Sequence, residues 1–572
     1  MDIIDTSFEV EYDLVDTTAA QDATVVCSNN ASFADASLLN VGTEFGKYMT
    51  LEHNFSVLDG SLLEFPTSPQ VAIFSDSMSD ENGEFVSNPT IDITFTRNHS
   101  SVGLTLNFIE DYPLECIIYW YNADDDLLTK KRFELNKLEQ ELFNPVKNYR
   151  HIKIEFTKTI PYRYVKVNSI IYGIEFKFTE KEIISAKLNE EMDMVSDKIS
   201  VNTLEFSIYD ALDDFNLGNA DGLHAYIQSR QVIYAYENVR GERIFLGKFF
   251  VNKFSSDKGL IKFTNTSALG LTDNDFYKGD VYNGTPAGDV FDIILPQCGI
   301  TDYEIDSEVL NTPIYGALKP MSGRKALREL LFVTQSVIDT SRQNGVKIYR
   351  KEKAIKDKIG RDIKISTKVT KQDYVSGISV NYNTYKIKAA SSQITKGIYP
   401  VGDNLITFKA PYTNITATSG TIIESGKFYC ILRMTTQEEV TLSGIGYDVV
   451  KSSASANVAE IEGGSSENIK TFTSELANYE LALDLANALL KYYSYNLKIE
   501  IQYLARGEQI NSWTIIENPD SRYDDYVGTF ESIVTDLTGG FVSTAKLVGY
   551  YNLSNYYYRT GNELITNDNF II

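Results

Sequence analysis

The feature that most constrains this fold is a close succession of alternating or continuous apolar segments in the first third of the chain. The segments are IDITFTR (91–97), VGLTLNF (102–108), LECIIYWYN (114–122), YRHIKIEF (149–156) and RYVKVNSIIYGIEFKF (163–178). Asn, Asp, Gly and Pro separate them, which is typical of turns between strands. Strands so short and so close, without a long helix between them, predict a β-sandwich over residues 21–178.

The strand pattern of residues 21–178 resembles the discoidin or carbohydrate-binding jelly roll.

The remaining sequence divides into further units, because a chain of 572 residues is too long for one hydrophobic core. Residues 1–20 form one strand or arm. Strands at 231–238, 243–254 and 260–267 predict a β-meander, and residues 474–493 predict the longest helix, with Leu476, Leu483, Ala486, Leu490 and Tyr493 on its apolar face. The predicted units are 1–20, 21–178, 179–275, 276–375 (small α/β), 376–470 (β-rich with loops) and 471–572 (a helix and a long hairpin).

The segment PMSGRKALRELLFVTQSVIDTSRQNGVKIYR (320–350) has the layout of an enzyme module. Ser322 is placed to cap a helix, and Ala326, Leu327, Leu330, Leu331 and Thr334 recur on one helical face. A strand, an Asn344-Gly345 turn and a return strand follow. Asp339, Ser341 and Arg342 crowd the strand end, but no His is near in sequence. We therefore interpret the segment as scaffold, with solvated polar side chains.

Charge and cysteine usage exclude several classes of protein. The net charge of −25 argues against sequence-independent gripping of phosphate, so no specific nucleic-acid binding is expected. Cys27, Cys116, Cys298 and Cys430 form no CxxC pair and are interpreted as buried thiols of a chain made in a reducing cytoplasm. The first residues lack the basic start and apolar core of a signal peptide.

The chemistry that enzymes need is hard to find in this sequence. His53, His99, His151 and His224 are scattered, and pairing His224 with Cys298 is speculative. The acidic loops 75–85, 123–128 and 216–222 do not satisfy an EF-hand pattern, although one of them could bind Ca²⁺ through backbone carbonyls. We therefore predict no enzyme activity, no catalytic or metal-ligating residues and no cofactor. Trp120 and Tyr121 could stack on a sugar ring, but a strand ending in YWY is more often core.

Six motifs in order carry a resemblance to a family. They are YMTLEHNFSVLDGS (48–61), ISVNTLEFSIYD (199–210), LGKFFVNKF (246–254), YNGTPAGDVFDII (282–294), SGRKALRELLFVTQSVIDTSRQNGVKIY (322–349) and DLTGGFVSTAKLVGYY (536–551). Together they resemble the hub proteins at the tips of phage tails and of phage-tail-like bacteriocins of Gram-positive bacteria. The resemblance covers the chain from about Tyr48 to Tyr551.

The resemblance implies a mainly β fold, in which the jelly-roll-like sandwich decorates tail-tube-like β-barrel domains with a few helices. The first barrel begins in 179–275, and residues 471–572 complete a second. It implies a homotrimer in a baseplate that joins a hexameric tail tube to a threefold spike or fibre. Implied partners are a tail tube or distal tail protein, a spike or fibre protein, other baseplate proteins and a tape measure protein, with DNA able to pass through the lumen.

Two rival functions stay open beside a structural hub. The sandwich could bind a host cell-surface glycan, which would make the chain a receptor-recognition protein. The third alternative is a tail-associated cell-wall hydrolase, for which the sequence offers no catalytic constellation. The LTGG turn (537–540) is expected to have glycines with positive φ, and its hairpin is expected to be covered by a neighbouring barrel or subunit.

Overall fold

The computed structural model describes residues 6–43, 50–52, 71–211, 213–219, 222–239, 241–273, 275–276, 278–350, 355–458, 467–495, 497–519, 525–552, 557–560 and 563–566. The fold is mainly β, as predicted, with five α-helices in these residues. The first family motif, 48–61, lies almost entirely outside the described residues, as does His53. No helix in the described part of the chain is long and apolar enough to cross a membrane.

The N-terminal sandwich is inserted between two strands of a larger sheet. After β1 (Thr6–Val15) and α1 (Ala19–Asp22), its seven strands are β2 (Thr24–Ser28), β3 (Ile73–Phe74), β4 (Thr90–Phe108), β5 (Glu115–Tyr121), β6 (Leu127–Glu134), β7 (Glu139–Lys158) and β8 (Lys166–Ile171). They form one hydrogen-bonded sheet in the order β3-β8-β4-β7-β5-β6, with β2 beside β4. The long strands β4 and β7 change register between Thr94 and Gly103, so the two predicted strands there are one bent strand.

The sandwich ends earlier than predicted, because the run 163–178 divides at Gly173. A Cβ at Gly173 would lie 2.3 Å from the carbonyl oxygen of Leu14, so only glycine permits this close approach of the two chains. After it the chain joins the larger sheet as β9 (Gly173–Phe178), which pairs with β1. The N-terminal strand therefore belongs to the larger sheet rather than forming a separate arm.

A first barrel follows. Besides β1 and β9 it contains β10 (Ile183–Glu191), β11 (Thr203–Tyr209), β12 (Val232–Val239), β13 (Glu242–Asp257) and β14 (Leu260–Thr266). Side chains from all seven strands enter one apolar core. Phe178 of β9 lies 6.4 Å from Phe206 of β11, measured between ring centroids, although these strands are far apart in the sheet order. The sheet therefore curls, so that its end strand β9 packs against β11 in the middle of the sheet.

A helical unit packs beside the barrel. Its elements are β15 (Asp275–Phe276), β16 (Val281–Pro286), α2 (Ala287–Gln297), β17 (Tyr303–Ile305), α3 (Ser307–Leu310), β18 (Pro313–Ala317), β19 (Met321–Ser322), α4 (Gly323–Thr334), β20 (Val337–Asp339) and β21 (Val346–Tyr349). The five residues predicted on the α4 face are all buried. Ser322 is the N-cap residue, but its side chain makes no capping hydrogen bond. The turn after β20 has its positive φ at Arg342, not at Asn344-Gly345.

The last third of the chain contributes strands to a second barrel-like unit, packs a helix and two strands on the helical unit, and forms separate smaller sheets. Its elements are β22 (Ile355–Ile359), β23 (Lys364–Lys371), β24 (Gly377–Tyr399), β25 (Gly402–Thr407), β26 (Tyr412–Ala417), β27 (Thr421–Ser425), β28 (Tyr429–Met434), β29 (Glu438–Asn457), β30 (Ile469–Ser474), α5 (Tyr479–Tyr493), β31 (Leu497–Leu504), β32 (Trp513–Ile516), β33 (Asp525–Asp536), β34 (Val542–Asn552), β35 (Tyr557–Thr560) and β36 (Glu563–Thr566). Strands β22, β23 and β31 to β34 form a second barrel-like unit over its own core. The bases of β24 and β29 pack with α5 on the helical unit.

Helix α5 therefore shares a core with α2 and α4, whereas the sequence grouped it with the second barrel. Its buried residues are Ala482, Leu485, Ala486 and Leu489. Of the predicted face only Ala486 lies among them, and Leu476 is buried ahead of the helix. The buried stripe is rotated from the predicted one, and α5 packs against β24 and β29.

Candidate functional site: the polar face across the seam

The two barrels share one continuous sheet. Strand β10 of the first barrel pairs antiparallel with β33 of the second, in register from Lys187↔Asp536 to Glu191↔Ser532. We call this pairing the seam. It gives the strand order β23-β31-β34-β33-β10-β11-β14-β13-β12-β1-β9, in which residues more than 340 positions apart in sequence are neighbours.

The side of this sheet that faces away from the two cores is a polar trough. Along β10 and β11 its side chains are Ser185, Lys187, Glu205 and Ser207, and on the second barrel it continues through Gln502 and Thr544. Three concavities of about 590, 250 and 570 Å³ follow one another along it. The trough is thus wide, shallow and made of strands rather than loops.

Charges on the trough are arranged in opposed pairs. Lys187 lies in register with both Glu205 of β11 and Asp536 of β33. Lys546 is opposite Glu500, and Lys262 forms a 2.8 Å ion pair with Glu205. Cross-strand neighbours of opposite charge stabilise a sheet modestly and cancel each other's field. A chain with a net charge of −25 therefore has a face without a strong field of either sign.

Asp536 also organises the hairpin that ends β33. Its Oδ1 accepts hydrogen bonds from the backbone N–H groups of Thr538 (3.1 Å) and Gly539 (3.0 Å). Partial burial would raise the pKa of Asp536, but these backbone donors outweigh burial and lower it. The carboxylate is therefore ionised opposite Lys187 at neutral pH.

The hairpin tip is buried in the neighbouring barrel, as predicted from its length. Leu537 and Phe541 are 2% and 4% exposed and belong to the core of the first barrel. The N–H of Leu537 donates to the carbonyl of Ala186 at 2.9 Å. Of the two turn glycines only Gly540 has positive φ, +88°, and Phe541 has the second positive φ, +55°. The tip closes the core of a barrel to which it does not belong in sequence.

A buried ionic cluster lies under the seam. Glu190 of β10 is 1% exposed, and the nearest described cation is Arg342, whose Nη2 is 3.9 Å from Glu190 Oε2. Arg342 also donates to the carbonyl of Glu508 at 3.3 Å, and Glu237 is buried nearby. Burial raises the pKa of Glu190 to about 7, although Arg342 opposes the rise. Both barrels and the helical unit meet at this cluster.

Asp339 and Ser341 of segment 320–350 are buried and not solvated as expected. Asp339 is 4% exposed; its Oδ1 accepts from the backbone N–H of Ser341 at 2.8 Å, and its Oδ2 accepts from Tyr349 at 3.2 Å. Asn511 of the second barrel donates to the same oxygen at 3.2 Å. Asp339 thus fixes a turn and ties it to the second barrel.

The sandwich places the two proposed sugar-stacking residues in different environments. Trp120 is fully buried, so its indole has no free face for a ligand and belongs to the core. Tyr121 is half-buried on the outer face, where its ring stacks on His151 at 4.9 Å and is parallel to Tyr119 at 6.4 Å. His151 Nε2 lies 3.2 Å from Asp92 Oδ1. This row of aromatic rings was not recognised in the sequence, because β5 and β7 become neighbours only through pairing.

His99 is a second feature that the sequence did not reveal. It is buried where the sandwich meets the first barrel, with Nδ1 2.9 Å from Asp16 and Nε2 2.8 Å from Asp22. Hydrogen bonds from Thr96 and His99 lower the pKa of Asp22. The ring bridges the two carboxylates, and the rings of Phe95 and Tyr149 lie 4.8 and 6.4 Å from it between centroids, so the contact joins packed elements of the fold.

The other candidate catalytic groups are separated. Cys298 is buried in the core of the helical unit, whereas His224 lies in a short 3₁₀ helix of the first barrel. Burial raises the pKa of the Cys298 thiol to about 11, which disfavours the nucleophilic thiolate. Cys27 is partly exposed, unlike the other three cysteines. Within the described ranges no group of three or more His, Cys, Asp or Glu is arranged to hold a metal ion.

Comparisons with known proteins find similar solved structures but no matching family. No family model and no curated protein matches the sequence. The chain is similar to the 43 kDa tail protein of prophage MuSo2 from Shewanella oneidensis, with 11% identity, a TM-score of 0.38, and coverage of 65% of this chain and 94% of that one. It is similar to prophage tail protein gp18 from Listeria monocytogenes, with 9% identity, a TM-score of 0.37, and coverage of 65% and 91%.

A carbohydrate-binding module is also similar to part of the chain. It is the family 32 module of NanJ from C. perfringens, solved with galactose, at 10% identity and a TM-score of 0.19. That match covers 29% of this chain and 99% of the module. At such identities and scores the likeness concerns parts of the fold, and no functional assignment rests on it.

Proposed function

We propose that this chain is a structural hub of a phage tail or of a related particle. Three copies would form a ring in which six barrels join a hexameric tail tube to a threefold spike or fibre. The observation that carries the proposal is the seam, which fixes two barrels side by side in one sheet. A rigid pair of similar units is what a threefold ring needs in order to present a nearly sixfold surface.

The location of the family motifs supports the same proposal. Five of the six lie in the described residues, on β11, on β13, on β16 with α2, on the α4 module, and on the tip with β34. These five therefore fall on the two barrels and on the unit that ties them together, whereas the sixth motif, 48–61, belongs to the sequence range of the sandwich. The sandwich would be a decoration that faces the baseplate or the cell surface.

The polar trough fits the lumen of such a ring. Its paired charges offer no surplus of lysine to retain a DNA backbone, and no dominant acidic field to obstruct it. We propose no catalytic role for the trough, since its polar groups are spread along strands and do not converge on a pocket.

Mass measurement by light scattering and native mass spectrometry tests the proposal on the purified chain. We expect three copies, with six lobes around a central opening in averaged electron micrographs. Immunogold labelling of particles should mark the junction between tube and tip. A chain that stays monomeric at tens of micromolar, or that is located on the outer fibres, would contradict the proposal.

A second function is favoured by the aromatic row of the sandwich. We propose that Tyr121, with Tyr119 and His151, contributes to a glycan-binding surface beside the carboxylate of Asp92. Binding to a glycan array that is lost in Tyr121→Ala supports this role. Tyr162→Ala, which removes another surface tyrosine of the sandwich, is the control and should bind normally.

A further inference from the structure

A small cavity lies where the two barrels and the helical unit meet. Its volume is about 10 Å³. Glu237 of β12 lines it from the first barrel, Arg342 from the turn between β20 and β21 of the helical unit, and Tyr503 of β31 from the second barrel. Leucine and isoleucine side chains of the two barrel cores complete the wall. Three units of the fold therefore share one cavity, which we call the junction cavity.

Three residues of this wall each carry a buried polar group that has no hydrogen-bond partner among the described residues. The groups are the Tyr503 hydroxyl, the Nε–H of Arg342 and Oε1 of Glu237. Tyr503 is fully buried, and Glu237 is 3% exposed. Ser543 lies opposite Tyr503 in the strand register, but its hydroxyl is already engaged by Thr535 at 2.7 Å. Buried polar groups of folded proteins nearly always have a partner, so three unpaired groups around one cavity indicate a bound ligand.

The polar groups around the junction cavity complement the hydrogen bonds of one water molecule. The Tyr503 hydroxyl and the Arg342 Nε–H both donate, whereas the carboxylate oxygen of Glu237 accepts. The hydroxyl groups of Thr535 and Ser543 also line the cavity, and each keeps an acceptor lone pair after they bond to each other. A water molecule can therefore accept from Tyr503 and Arg342 while it donates to Glu237 and to a hydroxyl oxygen.

Size and charge exclude other small ligands. A cavity of about 10 Å³ admits about one water molecule and leaves no room for an organic group. The positive charge of Arg342 disfavours a metal cation, and in the part of the chain that the structure describes no three His, Cys, Asp or Glu side chains are arranged around one. Glu190, Glu237 and Glu508 are all buried near the guanidinium, so an anion would be repelled.

We propose that the junction cavity binds one ordered water molecule that bridges Glu237, Arg342 and Tyr503. The water joins the first barrel, the helical unit and the second barrel at one point, because Glu237 Oε1, Arg342 Nε and Tyr503 Oη make no direct hydrogen bond with one another. Arg342 meanwhile keeps its hydrogen bond to the carbonyl of Glu508 at 3.3 Å. The site belongs to a single copy of the chain, so this inference is independent of the proposed trimer.

A crystal structure of the full chain, at a resolution that shows ordered waters, tests the site directly. We expect one density peak within about 2.6–3.2 Å of Glu237 Oε1, Arg342 Nε and Tyr503 Oη. A junction cavity without a peak would overturn the inference. A peak with contacts of about 2.4 Å to five or more oxygens would identify a metal cation and would overturn it as well.

Tyr503→Phe tests the same water in solution through the sign of its effect on stability. If no water accepts from the Tyr503 hydroxyl, the variant loses only an unpaired buried group and should melt at the parent temperature or above it. If a water is bound, the variant leaves that water one partner short and should melt lower, by about 2–4 °C.

Tyr526→Phe is the matched control, because Tyr526 is fully buried in the same core and its hydroxyl donates to the carbonyl of Leu497 at 3.0 Å. It should lower the melting temperature whether or not the junction cavity holds water. Lower melting of the control without lower melting of Tyr503→Phe would overturn the inference. If Tyr503→Phe does not fold, the density in the parent chain decides.

Discussion

Glu190→Gln offers a sharp test of the cluster under the seam. The carboxyl group is 1% exposed, and neither of its oxygens has a hydrogen-bond partner among the described residues. Its pKa is about 7 in the folded chain, against 4.5 for an ordinary glutamate. The folded state therefore holds the proton more tightly than the unfolded state does.

The sign and size of the effect follow from linkage. Because the folded pKa is raised, the contribution of Glu190 to stability is fully present below pH 4.5 and is lost as the pH rises through 7. At about 1.4 kcal/mol for each pKa unit, the loss amounts to roughly 3 kcal/mol by pH 8. Glutamine has nearly the same shape and does not titrate, so it removes this loss while Arg342 keeps its bond to Glu508.

Calorimetric unfolding of the full chain at pH 5 and pH 8 measures the effect. We expect the stability difference between Glu190→Gln and the parent chain to shift by roughly 2.5 kcal/mol in favour of the variant between these pH values, because part of the loss has already occurred at pH 5. Glu205→Gln, a half-exposed position on the trough, is the control and should follow the parent chain at both. Parallel pH profiles for Glu190→Gln and the parent chain would refute the assignment of a protonated carboxyl group under the seam.

Three further substitutions test the contacts that join the two barrels and the sandwich. Gly540→Val should destabilise the barrels by about 1–3 kcal/mol in thermal unfolding, because φ is +88° there; Gly397→Val, in an extended strand, should cost less. Phe541→Ala should cost about 3–5 kcal/mol, and faster hydrogen exchange should appear in the first barrel although the residue belongs to the second. His99→Phe leaves two carboxylates without their shared partner and should lower the unfolding temperature of the sandwich, whereas His151→Phe, at a more exposed site, should lower it less.

Sequence patterns correctly predicted the features that depend on residues close together in the chain, such as the buried face of a helix. The α4 face follows from three- and four-residue spacing, and all five predicted positions are buried. The Lys258-Gly259 turn between β13 and β14 has positive φ at both residues, which suits a tight hairpin. Where two local solutions compete, the sequence was misleading. Asn344-Gly345 could have made the turn, but Arg342 adopts the left-handed conformation instead and directs its side chain toward Glu190.

The candidate site was hidden for a different reason. The trough combines β10, β11 and β14 with β31, β33 and β34, and each strand alone shows only an ordinary alternation of polar and apolar residues. That alternation does not identify which strand will pair with it, since pairing depends on the register between distant segments. The cluster of Glu190, Glu237, Arg342 and Glu508 is equally invisible, because its members come from four separate parts of the chain.

The seam and the tip together explain why two barrels behave as one body. Backbone pairing alone would permit β33 to slip along β10, and a slip of one residue would turn Lys187 away from Asp536. Leu537 and Phe541 prevent this, because any slip would withdraw them from the core of the first barrel. The polar trough thus keeps its paired charges because apolar side chains on the opposite side of the same sheet fix the register. A ring assembled from such units would have a lumen whose charge pattern is set by buried residues rather than by its own surface contacts.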